Sequence, residues 1–401
     1  MSDLDLTRDW VLLLSLLPVD YEDLAKQHGQ VETKFGNAKI TCARDLLRFF
    51  FLHVGAGLPL RQTVALIEEA GGPSLSPMRL HMKLRHAEPY LHALVTRLCG
   101  LAGGGEPERW GGYEMVAVDA TVLCGPASKG VDARLHTCLR LSDLAIVQAN
   151  VTGDGGGETF RNFAITPGQL WLGDRIYSNP PGIAWVLDHG GDVLVRYNRG
   201  ALPLLDSQGA SLDVLKELDS VVAGSPAEHA VAFDVGEKRI AARLVIDRLP
   251  PHEAERSRAR LRKEQGASHV STAALKMAGY IVLLTTADAR RMPTERCLRA
   301  YRLRWQVELL YKRWKSLGGL DRVPNKRRDT LVSWLYVKLL LALLIERLGS
   351  AEAEPFPPWQ LATVVRPPRK PRRSRARAAT VEGRHDPVGS ADASAGAAAA
   401  A

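Results

Sequence analysis

The run EMVAVDATVL at 114–123 is the strongest constraint on this chain. Its almost unbroken apolar character marks a β-strand in a core, and its one interior carboxylate, Asp119, has to be compensated. A lone charge buried in a sheet is expensive, so Asp119 stands at a strand end, is paired, or meets a bound cation. The hundred residues before the run follow another pattern. Apolar stretches at 12–17, 43–52, 60–69 and 78–84 are separated by Pro and Gly and show no strand alternation, which predicts helices. Glycines at 103–105 and 111–112 mark the boundary between the two patterns.

Beyond the first strand, apolar runs at 139–141 and 144–152 predict an antiparallel hairpin. The Gly-rich stretch TGDGGGET at 152–159 does not lead from a strand into a GK-containing helix, so it reads as a turn rather than a phosphate loop. A short strand at 170–173 ends directly in Asp174, followed by Arg175 and Tyr177; a proline-led helix at 179–187 and a strand at 192–197 come next. This alternation predicts a sheet with helical cover. From 199 to 277 the pattern loosens into a hairpin, 230–235 with 239–246 around Gly236, and a charged helix at 251–265, which reads as an insertion. The run YIVLLT at 280–285 resumes the sheet, and a strongly apolar helix is predicted at 331–348.

Residues 300–315, AYRLRWQVELLYKRWK, predict one long helix. At about 100° per residue, Arg304, Glu308 and Lys315 lie at about 300°, 340° and 320° from Tyr301, on one narrow face. Leu303, Val307, Leu310 and Trp314 form an adjoining apolar stripe. An Arg304–Glu308 pair on a surface helix would satisfy the same geometry, so the helix alone decides nothing.

A formal charge of +9 favours a polyanionic partner, nucleic acid before an anionic membrane, because the apolar runs at 11–17 and 339–345 fall far short of the roughly 20 residues of a membrane span. The acidic N-terminus does not resemble a secretory signal, which points to the cytoplasm. Five widely spaced cysteines without a CxxC pair indicate neither zinc nor disulfides. The pair of helical stretches at 59–70 and 76–85 could form a helix-turn-helix presenting Arg79, Lys83, Arg85 and His86, although plain bundle packing gives the same pattern.

Asp119, Asp174 and Glu308 are each delivered to an edge or an aimed face by an apolar element. Three converging carboxylates repel one another unless hard divalent cations compensate them, and magnesium suits oxygen donors and phosphate chemistry. Two such ions serve phosphoryl transfer, with Arg304 and Lys315 available for the phosphodiester backbone.

These residues give the chain a resemblance to the DDE transposases of bacterial insertion sequences, specifically the insertion-sequence-four family. That family's Y-x2-R-x3-E-x6-K helix is met by Tyr301, Arg304, Glu308 and Lys315, its first acid by Asp119 in VAVDAT, and its second by Asp174 with Arg175 and Tyr177. The resemblance implies an α/β fold, a ribonuclease-H-like mixed-sheet catalytic core with a β-rich insertion, preceded by an α-helical N-terminal domain. It implies Asp119, Asp174 and Glu308 as catalytic metal ligands for two Mg2+ or Mn2+ ions, and Tyr301, Arg304, Lys315, Arg175 and Tyr177 as DNA contacts. The expected partners are double-stranded DNA, as transposon ends and target, and a second copy of the chain in a homodimer.

The expected organisation is a helical DNA-binding region at 1–105, the core at 106–198 and 278–350, the insertion at 199–277, and a tail at 351–401. That tail is Arg-rich and then Ala/Gly-rich, a composition that predicts disorder. Family members continue with further helical sequence here, so the tail reads as a frameshifted or replaced C-terminus, or alternatively as a basic arm for phosphates. A catalytically impaired DNA-binding remnant or repressor is the matching functional alternative.

Overall fold

The structure is a computed structural model and describes residues 8–32, 40–101, 107–128, 130–153, 155–266, 269–316, 318–324 and 327–352. The chain divides into units 1–363 and 364–401, and every described residue belongs to the first. The Gly103–105 boundary and the tail from 353 onward lie outside the described residues.

Six helices come first: α1 (Arg8–Ser15), α2 (Tyr21–Gln27), α3 (Ala43–Phe50), α4 (Leu60–Glu69), α5 (Pro77–Arg85) and α6 (Glu88–Leu101). Local signals set their ends. Ser76 caps α5 by accepting from the Arg79 amide at 3.2 Å, with Pro77 in the first turn, where its missing N–H costs nothing. The helix-turn-helix reading of α4 and α5 loses its cations to the protein itself. Arg79 pairs with Glu32, Lys83 donates to the Gln30 carbonyl at 2.6 Å, and Arg85 donates to Asp329 at 2.7 Å.

The sheet follows with β1 (Glu114–Leu123), β2 (Ala133–Arg140), β3 (Ile146–Gly153), β4 (Gln169–Gly173), α7 (Pro180–Asp188), β5 (Asp192–Arg196), the short α8 (Val214–Glu217), β6 (Ala227–Val235), β7 (Lys238–Arg248), α9 (Pro251–Gln265), α10 (Thr272–Met277) and β8 (Tyr280–Thr285). Helices α11 (Thr294–Leu303), α12 (Trp305–Ser316) and α13 (Arg328–Glu352) complete it. Eight strands form one mixed sheet in the order β3-β2-β1-β4-β5-β8-β7-β6. Strands β1, β4 and β5 run parallel, and the remaining pairings are antiparallel. This is the ribonuclease-H-like core preceded by a helical region. The β6–β7 hairpin, expected as part of an insertion, pairs through β7 with β8 and so extends the same sheet.

Strand alternation divides the core into two layers. Met115 and Ala117 of β1, with Leu170 and Leu172 of β4, face a cluster containing Leu303, Val307, Leu310 and the apolar residues of α13. Val116, Val118 and Trp171 point the other way, onto Ile183 and Val186 of α7. The first layer carries the candidate chemistry.

Candidate active site

Two acids are delivered by strand register. Ala117 of β1 stands opposite Leu172 of parallel β4, so two residues further along each chain lie Asp119 and Asp174. Neighbouring strands are about 4.8 Å apart, which sets Asp119, inside β1, beside Asp174, just past the end of β4. Asp119 continues the parity of Met115 and Ala117, and Asp174 that of Leu170 and Leu172, so both project toward the α11–α13 layer.

The third acid comes from that layer, and here the helix differs from expectation. Residues 300–315 form two helices, broken at Arg304. The Arg304 amide donates to the Tyr301 carbonyl at 3.2 Å and the Val307 amide to the Arg304 carbonyl at 3.2 Å, both three-residue steps, so the chain tightens by one 3₁₀-like turn. Glu308 thereby falls in the first turn of α12, where the helix dipole favours a carboxylate. Tyr311, one turn on, anchors the helix to the sheet: its hydroxyl donates to the Asp119 carbonyl at 2.8 Å and accepts from Thr137 of β2.

The acids act on one another. Burial pushes the Asp119 carboxyl up to about 7; Arg304 and the Ala120 amide oppose that shift, while the charges of Asp174 and Glu308 add to it. Arg304 is itself only 12% exposed and donates to Glu308 at 2.5 Å. Among the described residues no three His, Cys, Asp or Glu side chains converge on one point as a metal would need. The chemistry of the three acids nevertheless suits a hard divalent cation: carboxylate oxygens from within β1, from the end of β4 and from α12, with mutual repulsion that Arg304 offsets only in part.

A groove of about 670 Å³ opens beside these residues. Asp174, Arg175, Tyr301, Arg304, Trp305 and Glu308 line it, together with Arg196 and Arg199 and with Arg260 and Glu264 of α9. Asp119 is not among the residues that line the groove. Lys315, in the last turn of α12, is half-buried and does not line the groove. Tyr177, expected as a DNA contact, does not line the groove: its ring is fully buried, 5.0 Å from Phe160 by ring centroids, because it fills the space above Gly173.

Sequence reasoning missed two residues here. Arg196 ends β5 with the parity of Leu194, which brings its guanidinium to the same face as the acids; burial lowers its pKa, with Arg175 and Arg304 adding. The alternation of DVLVR carried that signal. Glu158, in the Gly-rich turn, pairs with Arg134 at 3.3 Å, and its carboxyl is raised first by burial and also by the charge of Asp174. Nothing local in TGDGGGET could have placed it.

Comparison with known proteins decides what the arrangement belongs to. The family model described as the transposase DDE domain matches residues 110–345, more than half of the chain. The chain belongs to the DDE transposase family. The match spans the sheet, all three acids and most of α13. Over 360 residues the chain is 27% identical to the putative transposase InsL for insertion sequence element IS186A of Escherichia coli (strain K12), an alignment covering 87% of this chain and 96% of that protein. It is also 27% identical over 361 residues, with the same coverage, to the transposase for insertion sequence element IS421 of Escherichia coli. The transposase for insertion sequence element IS231F of Bacillus thuringiensis subsp. israelensis is 26% identical over 140 residues, 34% of this chain and 29% of that protein. As a DDE transposase the chain is an enzyme of DNA cleavage and strand transfer that depends on divalent metal. No described helix is long and apolar enough to cross a membrane.

Proposed function

We propose that this DDE transposase binds the terminal inverted repeats of a bacterial insertion sequence, cuts there with Asp119, Asp174 and Glu308 at its chemical centre, and joins the freed ends to target DNA. What supports this reading is the adjacent register that sets Asp119, inside β1, and Asp174, at the end of β4, on one face, with the charges of Asp174 and of helix-borne Glu308 both reaching Asp119. The three carboxylates are the ligands of two Mg2+ or Mn2+ ions. Bound there, such ions would activate the attacking oxygen and stabilise charge on the phosphodiester. Arg304, Tyr301 and Arg175 border the groove and hold backbone phosphates, with Arg196 beside them; an arginine fork suits a phosphate better than a point charge. Lys315 contacts DNA further along α12.

Residues 1–105 serve as a DNA-binding region, through surfaces other than Arg79, Lys83 and Arg85. Because two ends must be brought together, the active species is a homodimer in the DNA complex, working in the cytoplasm.

Incubating the purified chain with labelled duplex ending in the element's terminal repeat tests the reading. Nicks at the repeat boundary with Mg2+ or Mn2+, abolished by chelation, are expected. A second reading, a DNA-binding remnant, rests on the Arg-rich and then Ala-rich composition at 366–401 and predicts a gel shift without nicks.

A further inference from the structure

Helix α9 has no part in the reading above, yet its residues line the groove. Ser257, Arg260, Leu261 and Glu264, spaced along one helical face, line it together with Arg304, Trp305 and Glu308. Two of its other cations have different tasks. Arg258 donates to the Leu275 carbonyl at 3.2 Å, tying α9 to α10, and Arg262 pairs with Glu255 at 3.3 Å. Of the α9 cations, Arg260 alone lines the groove.

Arg260 is held there by Glu264, its Nε donating at 2.6 Å, with side chains 75% and 55% exposed. An exposed i,i+4 pair is worth only a few tenths of a kcal/mol, and with the cation N-terminal to the acid it has the weaker of the two orientations. A phosphate, offering several acceptor oxygens, out-competes a single solvated carboxylate for such a guanidinium. The charge of Glu308 also reaches Arg260, and Glu308 is itself paired with Arg304, so a phosphodiester seated in the groove has Arg304 and Arg260 as cations within it.

We propose that α9 is the second wall of the DNA channel, and that Arg260 leaves Glu264 to bind a backbone phosphate of the DNA end seated against Arg304 and Glu308. This rests on the groove being the DNA site, as argued above. Glu264 then acts as a resident competitor that holds Arg260 ready in the absence of DNA.

The test is the salt dependence of binding between the full chain and labelled terminal-repeat duplex, followed by anisotropy over about 50 to 200 mM KCl. Losing one phosphate contact makes the slope of log affinity against log salt shallower by about 0.9. Arg260→Ala is expected to show that loss, Arg260→Lys to keep the slope, and Glu264→Ala to bind more tightly. Thermal melting of all three should match the parent, because the pair is exposed. An unchanged slope in Arg260→Ala, with binding by the parent chain intact, overturns the assignment of Arg260. Absence of DNA binding by the parent overturns the reading of the groove as well.

Discussion

The Tyr311 hydroxyl donates to the backbone carbonyl of Asp119 at 2.8 Å, joining the helix that carries Glu308 to the strand that carries the first acid. The same oxygen accepts from Thr137 and stands 3.2 Å from the Leu135 carbonyl, so one phenol fixes α12 over β1 and β2. Tyr311→Phe leaves the ring packed and removes these bonds. Unsatisfied buried partners cost about 1–3 kcal/mol. A lowered melting temperature and reduced nicking are expected, with terminal-repeat binding retained in gel shifts. Unaltered nicking would show that α12 needs no such tether.

Gly173 ends β4 where a Cβ would stand 2.6 Å from the Tyr177 Cβ and 3.1 Å from the Phe160 ring. Gly173→Ala therefore pushes apart the packing that sets Asp174. Overpacking of this kind costs about 1–3 kcal/mol. Thermal unfolding should report that loss, and the rate of end cleavage should fall with it.

The elevated Asp119 carboxyl has a consequence for stability. Its folded pKa of about 7 lies above the ordinary carboxylate value, so between roughly pH 4 and pH 7 the folded state holds a proton that the unfolded chain has released. Stability contributed by this group is thus lost as pH rises through that window. Asp119→Asn should raise the melting temperature of the metal-free chain at pH 8 more than at pH 5. Equal shifts at both pH values would contradict a buried, uncompensated carboxylate.

Much of this could be read in the sequence, for identifiable reasons. Asp119 and Asp174 stood out because the strands carrying them are apolar up to the acid, and the spacing of Tyr301, Arg304, Glu308 and Lys315 was specific. Strand β2 was less legible: Arg134, His136 and Thr137 break its apolar pattern, yet His136 and Thr137 are fully buried, their polarity met by Thr152 and Tyr311. The break at Arg304 has no proline or glycine to announce it. The burial of Tyr177 was not legible because a motif position does not reveal which way a ring turns; the bare Gly173 beside it makes the pocket that buries it. The role of α9 in the groove depends on long-range packing that no local pattern records.

Arg304 donates to Glu308 at 2.5 Å and so competes with any cation for that carboxylate. Arg304→Ala is expected to raise the Mn2+ affinity of the DNA-free chain in calorimetric titration while weakening its hold on terminal-repeat DNA. A parallel loss of both affinities would mean that Arg304 instead holds Glu308 in a metal-ready position.

The most direct measurement is cleavage of labelled terminal-repeat DNA by Glu308→Gln beside the parent chain, in Mg2+ and in Mn2+. The substitution keeps the shape of α12 and removes one anionic ligand, so the account predicts a normal gel shift with nicking lost in both metals. Full cleavage by Glu308→Gln would contradict the assignment of Asp119, Asp174 and Glu308 as the catalytic triad of acids.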